Sequence, residues 1–299
     1  MSQHHHHSVL SAKKLFWTIL LNISITLAQF IGGVLSGSMA LLSDAVHNLS
    51  DVISLVVSYT ANRLAHKEAT TEKTFGYKRA EIVAAFINAI SLILIALWLI
   101  YESVQRLLNP SEIEEMTVIY LSLVAIAGNG LSVLLLKNQQ ANNLNIRSAY
   151  VHLFSDLLAS VAVLIGAIAI SVFNWHIIDP LLSILISLYL IYLGYDLLKD
   201  SVQILMLYTP FELDLKEVIK AVHDFEEVKK LHHIHVWKLN DTEIHLEAHI
   251  DLHQNLNLSS FNELHQRIEQ VLLDRFKINH ITLQPEYNKD DSKAFIVQD

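Results

Sequence analysis

Long apolar runs are the feature that most constrains this chain. A bilayer core is crossed by about 20 apolar residues in a helix, and six stretches of the sequence reach that length. Two of them, Ile82–Tyr101 and Met116–Leu136, contain no Lys, Arg, Asp or Glu. The chain is therefore predicted to be a membrane protein with six transmembrane helices, over residues 14–35, 39–64, 81–107, 116–137, 146–173 and 178–206.

Composition agrees with this interpretation. Hydrophobic residues make up 52% of the 299 residues and charged residues only 17%, which is too apolar for an ordinary soluble domain. The first run begins at Leu15, and because no small-residue cleavage site ends it, we interpret it as a helix and not as a secretory signal. The absence of cysteine excludes thiolate metal sites and leaves His and carboxylates as metal ligands.

Basic residues are divided unequally between the two sides that six spans would create. One side has only Arg106. The positive-inside rule makes the other side, which holds both termini, the cytoplasmic one. The basic residues predicted on that side are Lys13, Lys14, Arg63, Lys67, Lys73, Lys78, Arg79, Lys137, Arg147 and Lys199.

After Met206 the pattern changes to that of a small α+β domain. The order helix-strand-strand-helix-strand is typical of a sheet with helices packed on one face. Either Ser259 or Ser260 is the expected N-cap of the second helix. The predicted elements are a helix at 213–224, strands at 228–239 and 242–253, a helix at 259–276 and a strand at 280–286.

This C-terminal part is acidic and rich in histidine. Residues 208–299 carry 17 acidic and 10 basic side chains, so phosphate groups of nucleic acid are not an expected partner, whereas cations are. Strand 242–253 alternates strictly, and its polar face could bind cations or could simply be a hydrated sheet face. That face carries His245, Glu247, His249, Asp251 and His253.

A short motif recurs in two of the apolar runs. Residues 46–51 read Val-His-Asn-Leu-Ser-Asp and residues 151–156 read Val-His-Leu-Phe-Ser-Asp, so both match V-H-x-x-S-D. The copies fall in the second and fifth predicted spans. With three spans in each half, those two helices would run in opposite directions, as in an inverted repeat.

The motif places four potential ligands inside the membrane. His47 and Asp51 share a helix face because they are four residues apart, and so do His152 and Asp156. Two imidazoles and two carboxylates suit tetrahedral Zn²⁺. A single His–Asp pair could be structural, but two copies with the same spacing favour a functional site, since intramembrane ionisable residues are costly. Asp44 could be a solvated entrance residue or a charge at the helix N-terminus.

Four motifs carry a family resemblance: S-M-A-L-L-S-D-A-V-H-N-L-S-D at 38–51, T-F-G-Y-K-R-A-E at 74–81, H-x-x-x-D in the fifth span and H-H-I-H-V-W at 232–237. Together they resemble the cation diffusion facilitator family, over roughly residues 13–287. The resemblance implies a homodimeric exporter of divalent metal ions with a cytosolic ferredoxin-like domain. The transport site that the resemblance implies maps onto His47, Asp51, His152 and Asp156. The histidine at the first of these positions resembles the residue found there in zinc-type bacterial members of the family.

The resemblance also implies a domain division and a second metal site. The regulatory cytosolic site would fall on His232, His249 and Glu286, with Gln284 as a further candidate, while His233 and His235 would support these ligands or pack beside them. The domains expected are an N-terminal His-containing tail (1–12), the six-helix transmembrane domain (13–207), the cytosolic metal-binding and dimerisation domain (208–287) and a C-terminal tail (288–299).

Four histidines lie near the N-terminus. His4–His7 could supply a further ligand to the cytosolic domain, could form a flexible tract that scavenges metal, or could be left from an expression tag.

The mechanism that we expect is zinc/proton antiport by alternating access, in a bacterial inner or plasma membrane. Metal binding needs deprotonated ligands, so Zn²⁺ as the substrate and protons as the counter-substrate would displace each other. Cd²⁺ and Co²⁺ are possible alternative substrates, and Zn²⁺ would also be the regulatory ligand. Two alternatives are a membrane zinc sensor and an intramembrane zinc hydrolase; the hydrolase would need an open coordination position and a general base, and the chain has no H-E-x-x-H motif.

Overall fold

The computed structural model describes residues 12–65, 67–136, 144–290 and 292–297. Within the helices, the side chains of 12–22, 54–55, 58–59, 62, 135–136 and 144–152 are not among those described. His4–His7 lie outside the described residues. The chain forms two compact units: the first comprises the described residues of Met1–Val57 and Ile87–Leu197, and the second those of Ser58–Phe86 and Leu198–Asp299.

Long helices occupy the positions of the apolar runs, with ends that differ from the predicted ones by a few residues at most. Gly37 has a positive φ of 74° and separates the first two helices, a conformation that suits glycine because it has no Cβ. The helices are α1 (Ala12–Ser36), α2 (Met39–Ala65), α3 (Ala80–Leu108), α4 (Glu115–Leu136), α5 (Leu144–Phe173) and α6 (Ile178–Leu205).

Four segments among the described residues are long and apolar enough to cross a membrane, and a shorter apolar segment, Ile23–Ser36, lies in α1. The chain is therefore a multi-pass membrane protein. Membrane crossing by α1 and α2 stays a prediction. The four segments are Ala80–Leu108, Glu115–Leu134, Leu153–Phe173 and Ile178–Leu205.

The start of α2 is held by side chains from other helices. Asp179, in the first turn of α6, accepts hydrogen bonds from the Ser38 hydroxyl, from the Met39 N–H at 2.7 Å and from the Ala40 N–H at 3.3 Å. These N–H groups have no partner within the helix itself, so a buried carboxylate satisfies them. Gly33 permits close approach of α1, because a Cβ there would lie 3.0 Å from the backbone of Leu42.

The described C-terminal part contains α7 (Leu215–His223), β1 (Val228–Lys238), β2 (Ile244–Leu252), α8 (Leu258–Phe276) and β3 (His280–Glu286). The predicted order of helices and strands is confirmed. The sheet order is β1-β2-β3, with β1 and β2 antiparallel and β2 and β3 parallel. Helix α8 provides the crossover that a parallel pair requires. The apolar side chains of α7, α8 and the sheet share one buried core.

One local prediction in this domain is wrong. The N-cap of α8 is Asn257 and not Ser259 or Ser260, and its side chain accepts a hydrogen bond from the Ser260 N–H at 3.0 Å. Asn and Ser are almost equally good N-caps. The choice is decided by backbone geometry, because Asn257 has the extended conformation that a cap needs (φ −71°, ψ 162°).

Candidate metal centres

The first candidate centre lies between α2 and α5. His47, Asp51 and Asp156 each offer one ligand atom, and these atoms all lie within 4.8 Å of one another. The His47 Nε2 atom is 3.4 Å from Asp156 Oδ1, and His47 Nδ1 is 3.8 Å from Asp51 Oδ2. His47 and Asp156 are buried, whereas the Asp51 side chain retains 34% of its exposure. The three ligand atoms are therefore close enough to share one cation, and the group is partly exposed at Asp51.

His152, the fourth predicted ligand, lies on α5 one helical turn before Asp156. Its side chain is outside the described residues. The structure thus brings together three of the four predicted side chains, two from one copy of the repeated motif and one from the other.

Asp44 lies one turn before His47 and is fully buried. Its carboxylate accepts hydrogen bonds from the Gln29 amide at 2.7 Å and from the Ser160 hydroxyl at 3.2 Å. Asn48 in turn donates to the Gln29 side chain at 3.3 Å. Both interpretations of Asp44 are wrong. Gln29 and Ser160, from α1 and α5, cover the carboxylate, and Asp44 lies beyond the first turn of α2.

The second candidate centre lies on the sheet of the C-terminal domain. In the strand register His232 on β1 is opposite His249 on β2, and Asp251 on β2 is beside Glu286 on β3. The Glu286 carboxylate is 3.2 Å from His232 Nε2 and 3.0 Å from His249 Nδ1. Ligand atoms of His232, His249 and Glu286 all lie within 4.8 Å of one another. Because His232 and Glu286 are buried, the site is shielded from bulk water.

Further polar residues surround this second centre. The Gln284 amide donates to Glu286 Oε1 at 3.2 Å, and the His233 ring lies 4.6 Å from the His249 ring. Asp251, which sequence reasoning placed only on the polar face of its strand, is buried with its Oδ2 atom 3.9 Å from His232 Nε2. The alternation of β2 could have identified Asp251, since it is two residues from His249 and shares its face.

His245 belongs to the same polar face but is not part of this group of ligand atoms. Its ring stacks on Trp237 at 5.3 Å and lies 4.3 Å from the His280 ring. Burial and the neighbouring charge of His280 lower the pKa of His245 below 6.5. This end of the polar face therefore packs around an aromatic cluster.

Comparison with known proteins gives the following matches. Residues 15–206 match the family model of the cation efflux transmembrane domain, and residues 210–288 match that of the cation efflux protein cytoplasmic domain. A cadmium, cobalt and zinc/H(+)-K(+) antiporter of Bacillus subtilis is 37% identical over 97% of this chain and 94% of its own length. The zinc transporter ZitB of Escherichia coli is 34% identical over 93% of this chain and 88% of its own length. The metal cation efflux system protein CzcD of Cupriavidus metallidurans is 34% identical over 94% of this chain and 89% of its own length.

Proposed function

The chain belongs to the cation efflux family, and we propose that it exports Zn²⁺ from the cytoplasm in exchange for protons. The observation that carries this proposal is the buried group of His47, Asp51 and Asp156 between α2 and α5. One imidazole and two carboxylates supply nitrogen and oxygen donors and compensate the charge of a divalent cation, and His152 would complete four-coordination. The names of the relatives, which include zinc, cadmium and cobalt, support this substrate class.

Alternating access would expose this group first to the cytoplasm and then to the opposite side. Zn²⁺ binds neutral imidazole and ionised carboxylates, so binding of the metal releases protons and protonation releases the metal. The name of one similar antiporter includes both H⁺ and K⁺, which supports coupling to a counter-ion. Neither the sensor alternative nor the hydrolase alternative is supported by the relatives.

The remaining parts of the proposal concern assembly and location. We propose a homodimer in a bacterial inner or plasma membrane with both termini in the cytoplasm. The match of residues 210–288 to the cation efflux protein cytoplasmic domain supports the homodimer and the cytoplasmic location of this domain. We also propose that this domain is ferredoxin-like, that it extends over 208–287 after a transmembrane domain at 13–207, and that the segments 1–12 and 288–299 are tails. His232, His249 and Glu286 would bind a regulatory Zn²⁺ there.

Zinc transport into proteoliposomes tests the function. With purified protein, a pH gradient that drives protons out of the liposomes should accelerate zinc uptake, because the protein would exchange protons for Zn²⁺. Collapse of the gradient should abolish the acceleration. The measurement is made with and without a K⁺ gradient, and with Cd²⁺ and Co²⁺ as competitors. A rate of zinc flux that does not depend on the pH gradient would exclude proton coupling, and the absence of metal flux would exclude the transport function.

Substitutions locate the site. Asp156→Asn and His47→Ala should each reduce zinc flux at least about a hundredfold, because leaving out one buried ligand costs several kcal/mol of metal binding. His265→Ala, a histidine on α8, is the matched control and should transport at the normal rate. Normal flux through Asp156→Asn would place the transport site elsewhere.

A further inference from the structure

The cytosolic candidate centre already contains a cationic group from the same chain. The ammonium nitrogen of Lys293 lies 3.0 Å from Glu286 Oε2, 3.1 Å from Asp251 Oδ1 and 3.3 Å from His232 Nε2. Lys289 contacts the other oxygen of Glu286. Two buried carboxylates need a positive partner, since an uncompensated buried charge is strongly unfavourable. The C-terminal tail supplies it.

The backbone of the tail is fixed next to this lysine. The carbonyl oxygens of Ala294 and Phe295 accept hydrogen bonds from the N–H groups of His233 and Ile234, at 3.1 and 2.8 Å. These two residues lie where the register of β1 with β2 shifts, and His233 has a positive φ of 50°. The Lys230 ammonium lies 5.2 Å from the centre of the Phe295 ring. The irregular part of β1 therefore binds the tail in a position that directs Lys293 to the carboxylates.

We propose that Lys293 is an internal competitor for the cytosolic metal site, so that metal binding and tail docking exclude each other. Zn²⁺ binds oxygen at about 2.0–2.2 Å and nitrogen at about 2.0–2.1 Å. The Lys293 ammonium lies within hydrogen-bonding distance of two of the three proposed ligands, His232 and Glu286, and so occupies space and lone pairs that the metal needs. It would also repel a divalent cation. This inference rests on the proposed regulatory site.

Competition of this kind sets the metal concentration at which the site fills. A site that is open for only one tenth of the time binds its ligand about tenfold more weakly than the open site does. The regulatory site would therefore stay empty at low zinc concentration and fill as the concentration rises, and filling would release Ala294 and Phe295 from the edge strand β1. The two tail lysines link metal binding at the sheet to a change in the position of the chain end.

Two readouts on the full-length protein in detergent test the proposal, with Zn²⁺ as the ligand. Hydrogen exchange of the β2 segment, which carries His249, measures filling of the site. Because the chain has no native cysteine, a fluorophore on Ile296→Cys measures tail mobility by its anisotropy. In the labelled protein with no other substitution, zinc should slow hydrogen exchange in β2 and lower the anisotropy of the label. Both changes should have the same midpoint zinc concentration. In Lys293→Met, the midpoint for protection of β2 should fall roughly tenfold.

Lys216→Met is the matched control, since Lys216 is an exposed lysine on α7, and its zinc midpoint should equal that of the unchanged protein. Protection of β2 by zinc without loss of anisotropy, or with the same midpoint in Lys293→Met, would overturn the competition and leave the metal site intact. If zinc protects β2 in neither protein, the regulatory site itself fails, and the competition with it. Neither the loss of the competition nor the loss of the regulatory site would contradict the transport proposal, which the flux experiment tests.

Discussion

At the scale of single residues, Asp179 has a role that its position in an apolar helix conceals. Its carboxylate accepts hydrogen bonds from Ser38, Met39 and Ala40 and closes the N-terminus of the helix that carries His47. We expect Asp179→Ala to lower the free energy of unfolding by about 3 kcal/mol, because buried donors lose their acceptor. Unfolding in mixed micelles with increasing dodecyl sulfate, followed by circular dichroism, measures this loss.

The control for this substitution lies on the same helix. Asp200 is exposed near the C-terminal end of α6, and Asp200→Asn should change the free energy of unfolding by less than about 0.5 kcal/mol. Equal stability of Asp179→Ala and the unchanged protein would show that the start of α2 does not depend on this carboxylate.

The environment of Asp44 could not be predicted from the sequence, whereas candidate metal ligands beside it could. The spacing of His47 and Asp51 places them on one helix face, and the repeated motif points to α5 as the source of Asp156. The same reasoning could not place Asp44, because its environment depends on Gln29 and Ser160, which come from the other helices α1 and α5. Helix periodicity predicts a direction, and only tertiary packing decides whether water or an amide lies there.

At the scale of elements, a histidine joins the end of α7 to β1. The Leu231 N–H donates to His223 Nε2 at 2.8 Å, which only the neutral ring can accept. Partial burial and the charge of Lys230 lower the pKa of His223 below 6.5 in the folded protein. As the pH falls, His223 is therefore protonated in the unfolded chain before it is protonated in the folded protein. The contribution of its hydrogen bond to stability is complete above pH 6.5 and is lost as the pH falls from 6.5 through the lowered pKa.

We expect His223→Gln, whose amide oxygen can accept the same hydrogen bond without titrating, to reduce the stability difference between pH 7.5 and pH 5. Urea unfolding with a metal chelator present, followed by Trp237 fluorescence in a chain with Trp17, Trp98 and Trp175 changed to Phe, measures that difference. His253→Gln, an exposed histidine just after β2, should leave the pH dependence unchanged. The same pH dependence in His223→Gln would exclude this role.

The elements themselves follow from local patterns, whereas their pairing does not. Apolar runs and strict alternation predicted the helices and strands, since burial of one face imposes the period of the structure. Parallel pairing of β2 with β3 and docking of the tail on β1 depend on contacts between distant segments. The tail is the clearest case, because nothing in the composition of residues 288–297 distinguishes Lys293 from a solvated lysine.

For the molecule as a whole, the distribution of basic residues predicts which side of the membrane is cytoplasmic. The six predicted crossings would bring both ends of the chain to one side, and Arg106 is the only basic residue predicted on the other. The cytosolic metal site can sense zinc on the side from which zinc is exported only if this orientation is correct. Orientation therefore connects the proposed regulation to the proposed direction of transport.

The lack of native cysteines allows the orientation to be measured directly. We expect a membrane-impermeant maleimide to label Asn109→Cys, between α3 and α4, in intact cells, because that connection would face outward. Asp241→Cys, between β1 and β2, should react only after the cells are permeabilised, since the C-terminal domain would lie in the cytoplasm. Both positions are exposed, so a difference in labelling reflects the membrane and not burial. Reaction of Asp241→Cys in intact cells would invert the topology, and zinc would then reach the regulatory site only after export.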